Sequence, residues 1–318
     1  MNNVVVTGAT GFVGRVLVRQ LLEQDYSVIA TRRRGSAVTQ PEDTRLQWLD
    51  YDLGDDKGIS SGKLENIDTV LHLAGLVHQP EKQSQEDYIK LNSLATERLA
   101  AAAVNTGVKH FIFISSIKVN GDVSPAKGFT EQDSPAPLDI YSESKLQAES
   151  LLIEACERSD MHYTILRPPL VFGPGVKANF LQLMKFVQRG MPLPFSAINN
   201  KRSLIYVDNL CNALITCMEN PDARDNLFLV KDVDLSTRQL VEALANGFNM
   251  KPRLFSAPES LLEFAAALTG NTDRLNKLIS NLVVDDTSFR NKTGWKPAVN
   301  FEKAIELTTD WYKTDCLK

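Results

Sequence analysis

Cysteine, histidine and tryptophan are scarce in this sequence of 318 residues, which contains four, four and three of them. No two cysteines have CxxC spacing, so we expect neither a metal site nor a disulfide framework. Scattered thiols of this kind are typical of a reducing compartment, which favours a cytoplasmic location. The cysteines are Cys156, Cys211, Cys217 and Cys316.

Long apolar runs and an excess of positive charge are also missing. No run approaches the roughly 18 residues of a membrane-spanning helix, so we expect no membrane insertion. Residues 1–6, MNNVVV, have neither a basic start nor a long apolar core, and we expect no secretory signal. The net charge of −4 argues against a general nucleic-acid-binding or membrane-surface protein, so any recognition of anions must be local.

The first half of the chain alternates between apolar strands and amphipathic helices. Strands that are apolar almost throughout, separated by helices, predict an α/β fold with a Rossmann-type, doubly wound parallel sheet covered on both faces. The predicted helices cover residues 12–24, 86–106 and 139–158, with Gly107 as a stop after the second. The predicted strands begin at NVVVTG (3–8) and YSVIAT (26–31) and continue with 68–75, 109–116 and 161–169.

The pattern changes after residue 168, where prolines break the chain into short pieces before further helical stretches. We therefore predict a dinucleotide-binding domain over residues 1–168 and a smaller substrate-binding lobe over 169–318. Residues 202–219 are expected to pack back on the first domain. The helical stretches lie near 203–219, 236–248 and 258–269, and the prolines occupy positions 168, 169, 174, 192 and 194.

Three glycines follow the first strand with the spacing TGxxGxxG. Glycines let the backbone turn tightly and approach a pyrophosphate, and the free amides at a helix start attract that anion. Gly8, Gly11 and Gly14, with Phe12 and Val13 at the helix start, therefore predict a dinucleotide site. The alternative is a tight turn without a ligand.

Three arginines, Arg32, Arg33 and Arg34, end the second predicted strand. In a dinucleotide-binding unit an acidic residue at this place binds the ribose hydroxyls of NAD, whereas arginine accommodates the 2′-phosphate of NADP. No carboxylate occurs here, so Arg32 and Arg33 favour NADP(H), and NAD(H) stays possible. Arg34 is expected to be only solvated, which is the alternative for the whole run. The later segment DYDL places Asp52 and Leu53 near the adenine.

Tyr141 and Lys145, in YSESK, lie four residues apart at the start of a helix and so share one face. A free phenol has a pKa near 10. We expect the neighbouring ammonium, together with the positive ring of an oxidised nicotinamide, to lower that pKa until the phenol can exchange protons with an alcohol. Ser116 ends a strand at the edge of the sheet where ligands bind, and its hydroxyl could bind the same substrate oxygen.

With these motifs in place, the sequence resembles the extended short-chain dehydrogenase/reductase family, the nucleotide-sugar epimerases and dehydratases. The resemblance covers almost the whole chain and rests on TGATGFVG, LHLAG, FISSIKVNG, YSESK, LRPPLVFGPG and RSLIYVDNL, in that order. It implies that Ser116, Tyr141 and Lys145 are the catalytic triad and that Lys145 also binds the nicotinamide ribose.

The resemblance also implies further contacts with cofactor and substrate. Leu73, Ala74 and Gly75 would pass the cofactor pyrophosphate, with Asn92 as support for the site and Pro168 beside the cofactor. The diphosphate of a nucleotide sugar would contact Asn179, Arg202 and Arg274.

Two departures from the family pattern shape the expected function. The dehydratases carry a threonine and an acidic pair where this chain has SIK (116–118), so dehydration is not expected. The segment RPPLVFG, with Pro168, Pro169 and Leu170, stands where the family usually has an aromatic pair and an asparagine. The sequence therefore does not indicate which sugar is bound. The arginines and the segment SSIKVNG favour an NADPH-dependent C4 ketoreductase of a UDP-sugar. The alternatives are a UDP-glucose 4-epimerase type of enzyme and, more remotely, a binding protein that senses the cofactor.

Two remaining predictions concern histidines and assembly. His72 and His78 flank LHLAGLVH. A metal pair is conceivable there, but one strand histidine and one loop histidine without a third ligand favour a structural role. The helices at 86–106 and 139–158 are expected to pair with a second subunit, as is common in the family, which predicts a homodimer.

Overall fold

The computed structural model describes residues 3–36, 43–55, 58–77, 84–258 and 272–317, together with positions 260, 267 and 270. In these ranges the strands are β1 (Asn3–Thr7), β2 (Ser27–Arg32), β3 (Leu46–Asp50), β4 (Thr69–His72), β5 (His110–Ile114), β6 (His162–Arg167), β7 (Leu170–Phe172), β8 (Arg202–Tyr206), β9 (Asn226–Leu229) and β10 (Val233–Leu235). The helices are α1 (Phe12–Glu23), α2 (Gln85–Tyr88), α3 (Ala95–Thr106), α4 (Ile140–Glu157), α5 (Ala178–Gln188), α6 (Val207–Glu219), α7 (Thr237–Gly247), α8 (Thr272–Ile279), α9 (Thr287–Thr293) and α10 (Phe301–Trp311).

The large sheet has the order β3-β2-β1-β4-β5-β6-β9, and each neighbouring pair in it is parallel. The chain reverses its direction of winding at β1, which has β2 on one side and β4 on the other. A reversal of this kind opens a crevice at the carboxyl ends of the strands, where ligands bind. A small mixed sheet, β10-β8-β7, comes from the second half of the chain. The predicted doubly wound α/β fold with a smaller C-terminal lobe is confirmed.

Helices cover both faces of the large sheet. Val4 and Val6 of β1 belong to one hydrophobic core, together with Leu17 of α1. Val5 points the other way and joins a second core, which contains Leu99 of α3. Side chains alternate between the two faces of a strand, so an apolar strand such as VVV must be buried on both sides. This confirms the prediction of a sheet covered on both faces.

The helix predicted over residues 86–106 is interrupted in the structure. α2 is followed by a π-helical turn, Ile89–Leu94, and only then by α3. A π turn accommodates one extra residue per turn, and such turns occur frequently at functional sites. Here the turn contains the buried Asn92. Gly107 ends α3 in the left-handed conformation, with φ of 79°, as its sequence position predicted.

The second half of the chain contacts the first along α6. Asp208 of α6 pairs with Arg19 of α1, and its carbonyl oxygen accepts a hydrogen bond from Gln20 at 3.1 Å. Strand β9 completes the large sheet next to β6. The division of the chain at residue 168 stays a prediction, and the helix expected near 258–269 lies mostly outside the described residues. Among the helices of the described ranges, none is both long and apolar enough to span a bilayer.

Candidate functional site

The glycine loop between β1 and α1 is closed on itself and lies against the end of β4. Gly8 has a φ of +71°, and its carbonyl oxygen accepts a hydrogen bond from the amide of Gly11 at 2.9 Å. A Cβ atom on Gly8 would lie 2.8 Å from the amide nitrogen of Ala74, so this position excludes a side chain. Helix α1 then begins at Phe12 and Val13 with no acidic residue in its first turn. Helix amides at such a terminus lack intrahelical partners and can bind a phosphate.

Gly14 allows α1 to approach this loop. A Cβ atom at this position would lie 2.2 Å from the carbonyl oxygen of Gly8 and 2.7 Å from the Cα of Ala9. The three glycines thus form a narrow cradle that any side chain would fill. The residues present fit the pyrophosphate of a dinucleotide.

We expect Gly14→Ala to abolish dinucleotide binding and to lower the free energy of unfolding by about 1–3 kcal/mol, because the loop must move away from the helix. Gly107→Ala is a matched control: its φ is +79° and no atom lies within 4 Å of the new Cβ. That change costs a similar amount of stability, about 1–2 kcal/mol, without touching the loop. Urea unfolding and titration of NADH fluorescence measure the two effects. Equal NADH affinity in both variants would contradict the assignment of the cradle.

The segment after β4 brings Gly75, Asn92 and Lys145 together. The Asn92 side chain accepts a hydrogen bond from the amide of Leu76 at 2.6 Å and donates to Ser144 Oγ at 2.9 Å. A Cβ atom on Gly75 would lie 2.9 Å from Asn92 Oδ1 and 3.2 Å from Lys145 Nζ. The Leu73 amide bonds to the carbonyl of Thr7, which fixes this segment beside the glycine loop.

Tyr141 lies in the first turn of α4, directly beside the end of β5. Asp139 caps this helix by accepting a hydrogen bond from the amide of Ser142 at 2.8 Å. The cap orients the first turn so that the Tyr141 hydroxyl hydrogen-bonds to Ser116, which follows β5 and is half-buried. Lys145 stands one turn further along the same helix. The structure therefore joins the phenol and the serine hydroxyl that the sequence placed on different elements.

The expected lowering of the Tyr141 pKa is wrong for the protein itself. Burial raises the pKa to about 12, and the negative charge of Asp139 adds to this, while the hydrogen bond with Ser116 acts in the opposite direction. Sequence spacing places an ammonium nearby, but it does not show how deeply the phenol is buried. The phenol is only 9% exposed.

The ammonium of Lys145 lies at the carboxyl end of β5. It donates a hydrogen bond to the carbonyl of Ile114 at 3.0 Å and lies 4.6 Å from the centre of the Phe113 ring. Burial lowers its pKa to about 8, an effect that the nearby carboxylate of Glu149 partly offsets. An ammonium has three donors, so the carbonyl of Ile114 uses one of them.

A buried ion pair connects α4 to the carboxyl end of β6. Arg167 donates to both carboxylate oxygens of Glu149 and, at 2.9 Å, to the side chain of Asn120. The carbonyl of Pro168, the buried next residue, accepts from the amide of Ile117 at 3.1 Å. These contacts fix the turn that begins at Ser116 relative to α4.

Lys118, in the SIK segment, lies where the dehydratase pattern would place an acid. Its ammonium contacts the carboxylate of Asp139 and lies 3.5 Å from that of Asp122. Burial opposes ionisation of Asp139, but hydrogen bonds from Lys118 and Ser142 outweigh it and lower the pKa of the carboxyl. Asp139 was missed in the sequence, although aspartate is one of the preferred residues immediately before the first residue of a helix.

Arg32 has a partner that the sequence analysis did not identify. Strands β2 and β3 pair Arg32 with Asp50, and the guanidinium donates to the carboxylate at 2.8 Å. Arg33 and Arg34 are exposed. A cavity of about 460 Å³ opens beside this pair, and its lining includes Arg34, Asp50 and Asp52. Leu53 is half-buried next to it.

The predicted substrate residues lie on separate elements of the second half. Asn179 is exposed in the first turn of α5. Arg202 begins β8 and donates to the carbonyl of Ser280 at 3.1 Å. Burial lowers the pKa of its guanidinium, and the negative charge of Asp122 acts in the opposite direction. Arg274 lies in α8.

His72 has the environment of a structural histidine. Both ring nitrogens are hydrogen-bonded to threonines, at 2.6 Å to Thr7 and 3.0 Å to Thr96. His78, its suggested partner in a metal pair, lies outside the described residues. In the described part of the chain, no three histidine, cysteine or acidic side chains come together as a metal-binding group.

Comparison with known proteins gives the same organisation. The profile of the NAD dependent epimerase/dehydratase family matches residues 4–230. A UDP-glucose 4-epimerase of Vibrio cholerae is 36% identical over 313 residues, which are 96% of this chain and 94% of that protein.

Solved structures superpose on nearly the whole chain. MoeE5 in complex with UDP-glucuronic acid and NAD is 25% identical, with a TM-score of 0.79, over 98% of this chain and 99% of that one. The UDP-glucose 4-epimerase from Thermotoga maritima with UDP-glucose has a TM-score of 0.78 at 22% identity, over 99% of this chain and 100% of that one. At that identity the second likeness is one of fold.

Proposed function

The chain belongs to the NAD dependent epimerase/dehydratase family and is an enzyme of nucleotide-sugar metabolism, and from this premise we propose that it is a UDP-sugar 4-epimerase with a bound dinucleotide. The observation that carries the proposal is the hydrogen bond between Tyr141 and Ser116, one helical turn from Lys145, whose ammonium lies beside Gly75. The relative of Vibrio cholerae, a UDP-glucose 4-epimerase, supports the epimerase over the ketoreductase that the sequence favoured.

The dinucleotide would be held by the glycine cradle, by the start of α1, by Leu73, Ala74 and Gly75, and by Lys145. When bound, its nicotinamide ring supplies a reversible acceptor for the hydride at C4 of the sugar. MoeE5, which is similar over nearly the whole chain, binds NAD and UDP-glucuronic acid. This supports NAD as the cofactor.

In this scheme Tyr141 moves the proton of the C4 hydroxyl while Ser116 hydrogen-bonds the same oxygen. With a pKa of about 12, the phenol is protonated at neutral pH and ready to donate to a C4 ketone. Taking the proton from the alcohol requires positive charge nearby, which Lys145 and an oxidised nicotinamide would provide. Burial of the phenol keeps water away from the proton transfer.

The diphosphate of the substrate would be bound by Asn179, Arg202 and Arg274. Arg202 is half-buried, and burial lowers the pKa of its guanidinium. A diphosphate beside it would compensate a charge that is costly to bury. This favours an anion at that position. The homodimer and the cytoplasmic location remain predictions.

The proposed activity is tested with UDP-sugars and their 4-keto forms, with and without added NADPH. We expect interconversion of the C4 epimers without net consumption of a cofactor. Product separation by chromatography and absorbance at 340 nm report the two quantities. Absence of C4 epimers across a panel of UDP-hexoses and their N-acetyl forms would exclude the epimerase.

Arginine at the end of β2 favours a second candidate, an NADPH-dependent 4-ketoreductase. A reductase consumes one NADPH in each turnover and must exchange it, whereas an epimerase retains its cofactor. Arg32 stands where an acidic residue would select NAD, although Asp50 neutralises part of its charge. Consumption of NADPH with a 4-keto sugar would establish this candidate. A protein that senses the cofactor without catalysis would show neither activity.

The choice of cofactor can be tested at Arg32 and Asp50. We expect Arg32→Ala to weaken NADPH binding relative to NADH by about 10- to 100-fold, because a charge-assisted contact with the 2′-phosphate is lost. Asp50→Asn should change the ratio in the opposite direction, since it frees the guanidinium. Fluorescence titration of each reduced cofactor measures the ratio. An unchanged ratio in both variants would show that Arg32 serves only its ion pair with Asp50 and does not contact the 2′-phosphate.

A further inference from the structure

His72 ends β4 beside the dinucleotide cradle and is completely buried. Its ring stacks on Phe113 of the neighbouring strand at 5.5 Å between ring centres. Both ring nitrogens are engaged, Nδ1 with Thr7 Oγ1 at 2.6 Å and Nε2 with Thr96 Oγ1 at 3.0 Å. The imidazole therefore bridges β1 and α3.

The partner of Thr96 and the neutral state of the ring together fix the direction of each hydrogen bond. Thr96 donates its only hydroxyl proton to the carbonyl of Asn92 at 2.6 Å, so the proton between Thr96 and the ring belongs to His72 Nε2. Burial, aided by the charge of Lys145, lowers the pKa of His72 to about 3, so the ring is neutral and Nδ1 is an acceptor. Thr7 then donates to Nδ1 and accepts from the amide of Ala74 at 3.2 Å.

The two ends of this chain of hydrogen bonds lie in the candidate cofactor site. One end is the amide of Ala74, in the segment that lies against Gly8. The other is Asn92 in the π-helical turn, whose side chain binds Leu76 through both its oxygen and its nitrogen. The hydrogen bonds thus form a closed ring that holds the segment after β4 at both of its ends.

We infer that His72 is a positioning residue of the dinucleotide site, because its imidazole, hydrogen-bonded on both sides, sets the spacing between the segment after β4 and the π-helical turn. That spacing brings Gly75, Asn92 and Lys145 together. The inference rests on the proposed dinucleotide-binding function. An apolar side chain of similar size would fill the space, but it would leave the two threonine hydroxyls without the ring nitrogens.

The experiment compares two buried histidines on neighbouring strands. His110 is the first residue of β5 and so lies at the amino ends of the strands, away from the candidate cofactor site at their carboxyl ends. It is 2% exposed and hydrogen-bonds to Thr164 Oγ1 at 2.8 Å. We expect His72→Phe to raise the dissociation constant of NADH by about 10- to 100-fold, as buried polar groups lose their partners. His110→Phe should leave it unchanged, although both variants lower the melting temperature. His72→Gln keeps one acceptor and one donor at similar spacing and should restore most of the affinity.

Thr96→Val removes the partner of Nε2 without changing the histidine, and it serves where His72→Phe does not fold. We expect it to weaken NADH binding in the same direction. Wild-type affinity in both His72→Phe and Thr96→Val, or an equal loss in His110→Phe, would overturn the inference and leave His72 as a packing residue. If the wild-type protein itself bound no NADH, the proposed function would fail instead.

Discussion

Tyr141→Phe is expected to lower turnover by about 10²- to 10⁴-fold, the usual contribution of a positioned acid or base. The substitution removes only the hydroxyl that hydrogen-bonds to Ser116, and the ring stays buried. Cofactor binding and the melting temperature should therefore remain close to those of the wild type. Initial rates of C4 interconversion and titration of NADH fluorescence measure the two properties.

Tyr88→Phe is the matched control for this prediction. The Tyr88 ring meets that of Tyr141 edge-on, with 6.4 Å between the centres, and its hydroxyl donates to the carbonyl of Val77 at 3.3 Å. We expect turnover in this variant to stay within a few-fold of the wild type. A Tyr141→Phe enzyme as active as Tyr88→Phe would remove Tyr141 from the chemistry.

Lys145→Met is expected to stabilise the cofactor-free protein and to abolish NADH binding. Lys145 is 5% exposed, and burial lowers its pKa from the usual 10.5 to about 8. Below about pH 8 the lysine is charged in both the folded and the unfolded chain, so folding must bury a charge. Above about pH 8 the folded protein sheds this proton first, and the cost disappears as the pH rises towards 10.5. Methionine never carries the charge, so we expect a gain of about 1–3 kcal/mol at pH 7.

Urea unfolding at pH 7 and at pH 10.5 tests this sign directly. The advantage of Lys145→Met over the wild type should be present at pH 7 and largely absent at pH 10.5. Lys109→Met, which replaces an exposed lysine immediately before β5, should change neither stability nor NADH binding appreciably. A Lys145→Met protein that is less stable at pH 7 would show that the lysine stabilises the fold, in conflict with its lowered pKa.

The central sheet was predictable because its strands are buried on both faces. Val4, Val5 and Val6 have no exposed surface, so the sequence reads as an uninterrupted apolar run. Strands β3 and β9 were missed. They lie at the two edges of the sheet, where none of the residues of β3 and only two of the four residues of β9 are fully buried. The short strands of the small sheet, β7, β8 and β10, were missed as well, because segments of three to five residues carry little periodicity. The prediction of a helix from residue 203 was wrong for residues 203–206, which belong to β8, since α6 begins only at Val207.

The π-helical turn could not be read from apolar spacing. One additional residue in a turn shifts the phase of the pattern slightly, and the alanine-rich segment that follows tolerates that shift. The turn nevertheless decides where Asn92 lies, and through Asn92 it determines the position of the segment after β4.

Spacing was sufficient for residues that share an element or a strand end. Tyr141 and Lys145 share a helix face, and Ser116 follows a strand that ends beside them. Contacts between side chains on neighbouring strands could not be predicted from spacing, because they depend on the register of the strands. The pairing of Arg32 with Asp50 depends on the alignment of two parallel strands. The raised pKa of Tyr141 likewise depends on burial, which only the folded chain establishes.

The most direct test follows a deuterium label at C4 of a UDP-hexose that the enzyme converts. We expect mass spectrometry to find the label retained on C4 of the epimer, because the deuteride removed from C4 returns to C4, and we expect Tyr141→Phe to suppress formation of the labelled epimer. Loss of the label to water, or epimer formation by Tyr141→Phe at the wild-type rate, would contradict hydride transfer at C4 assisted by the buried phenol.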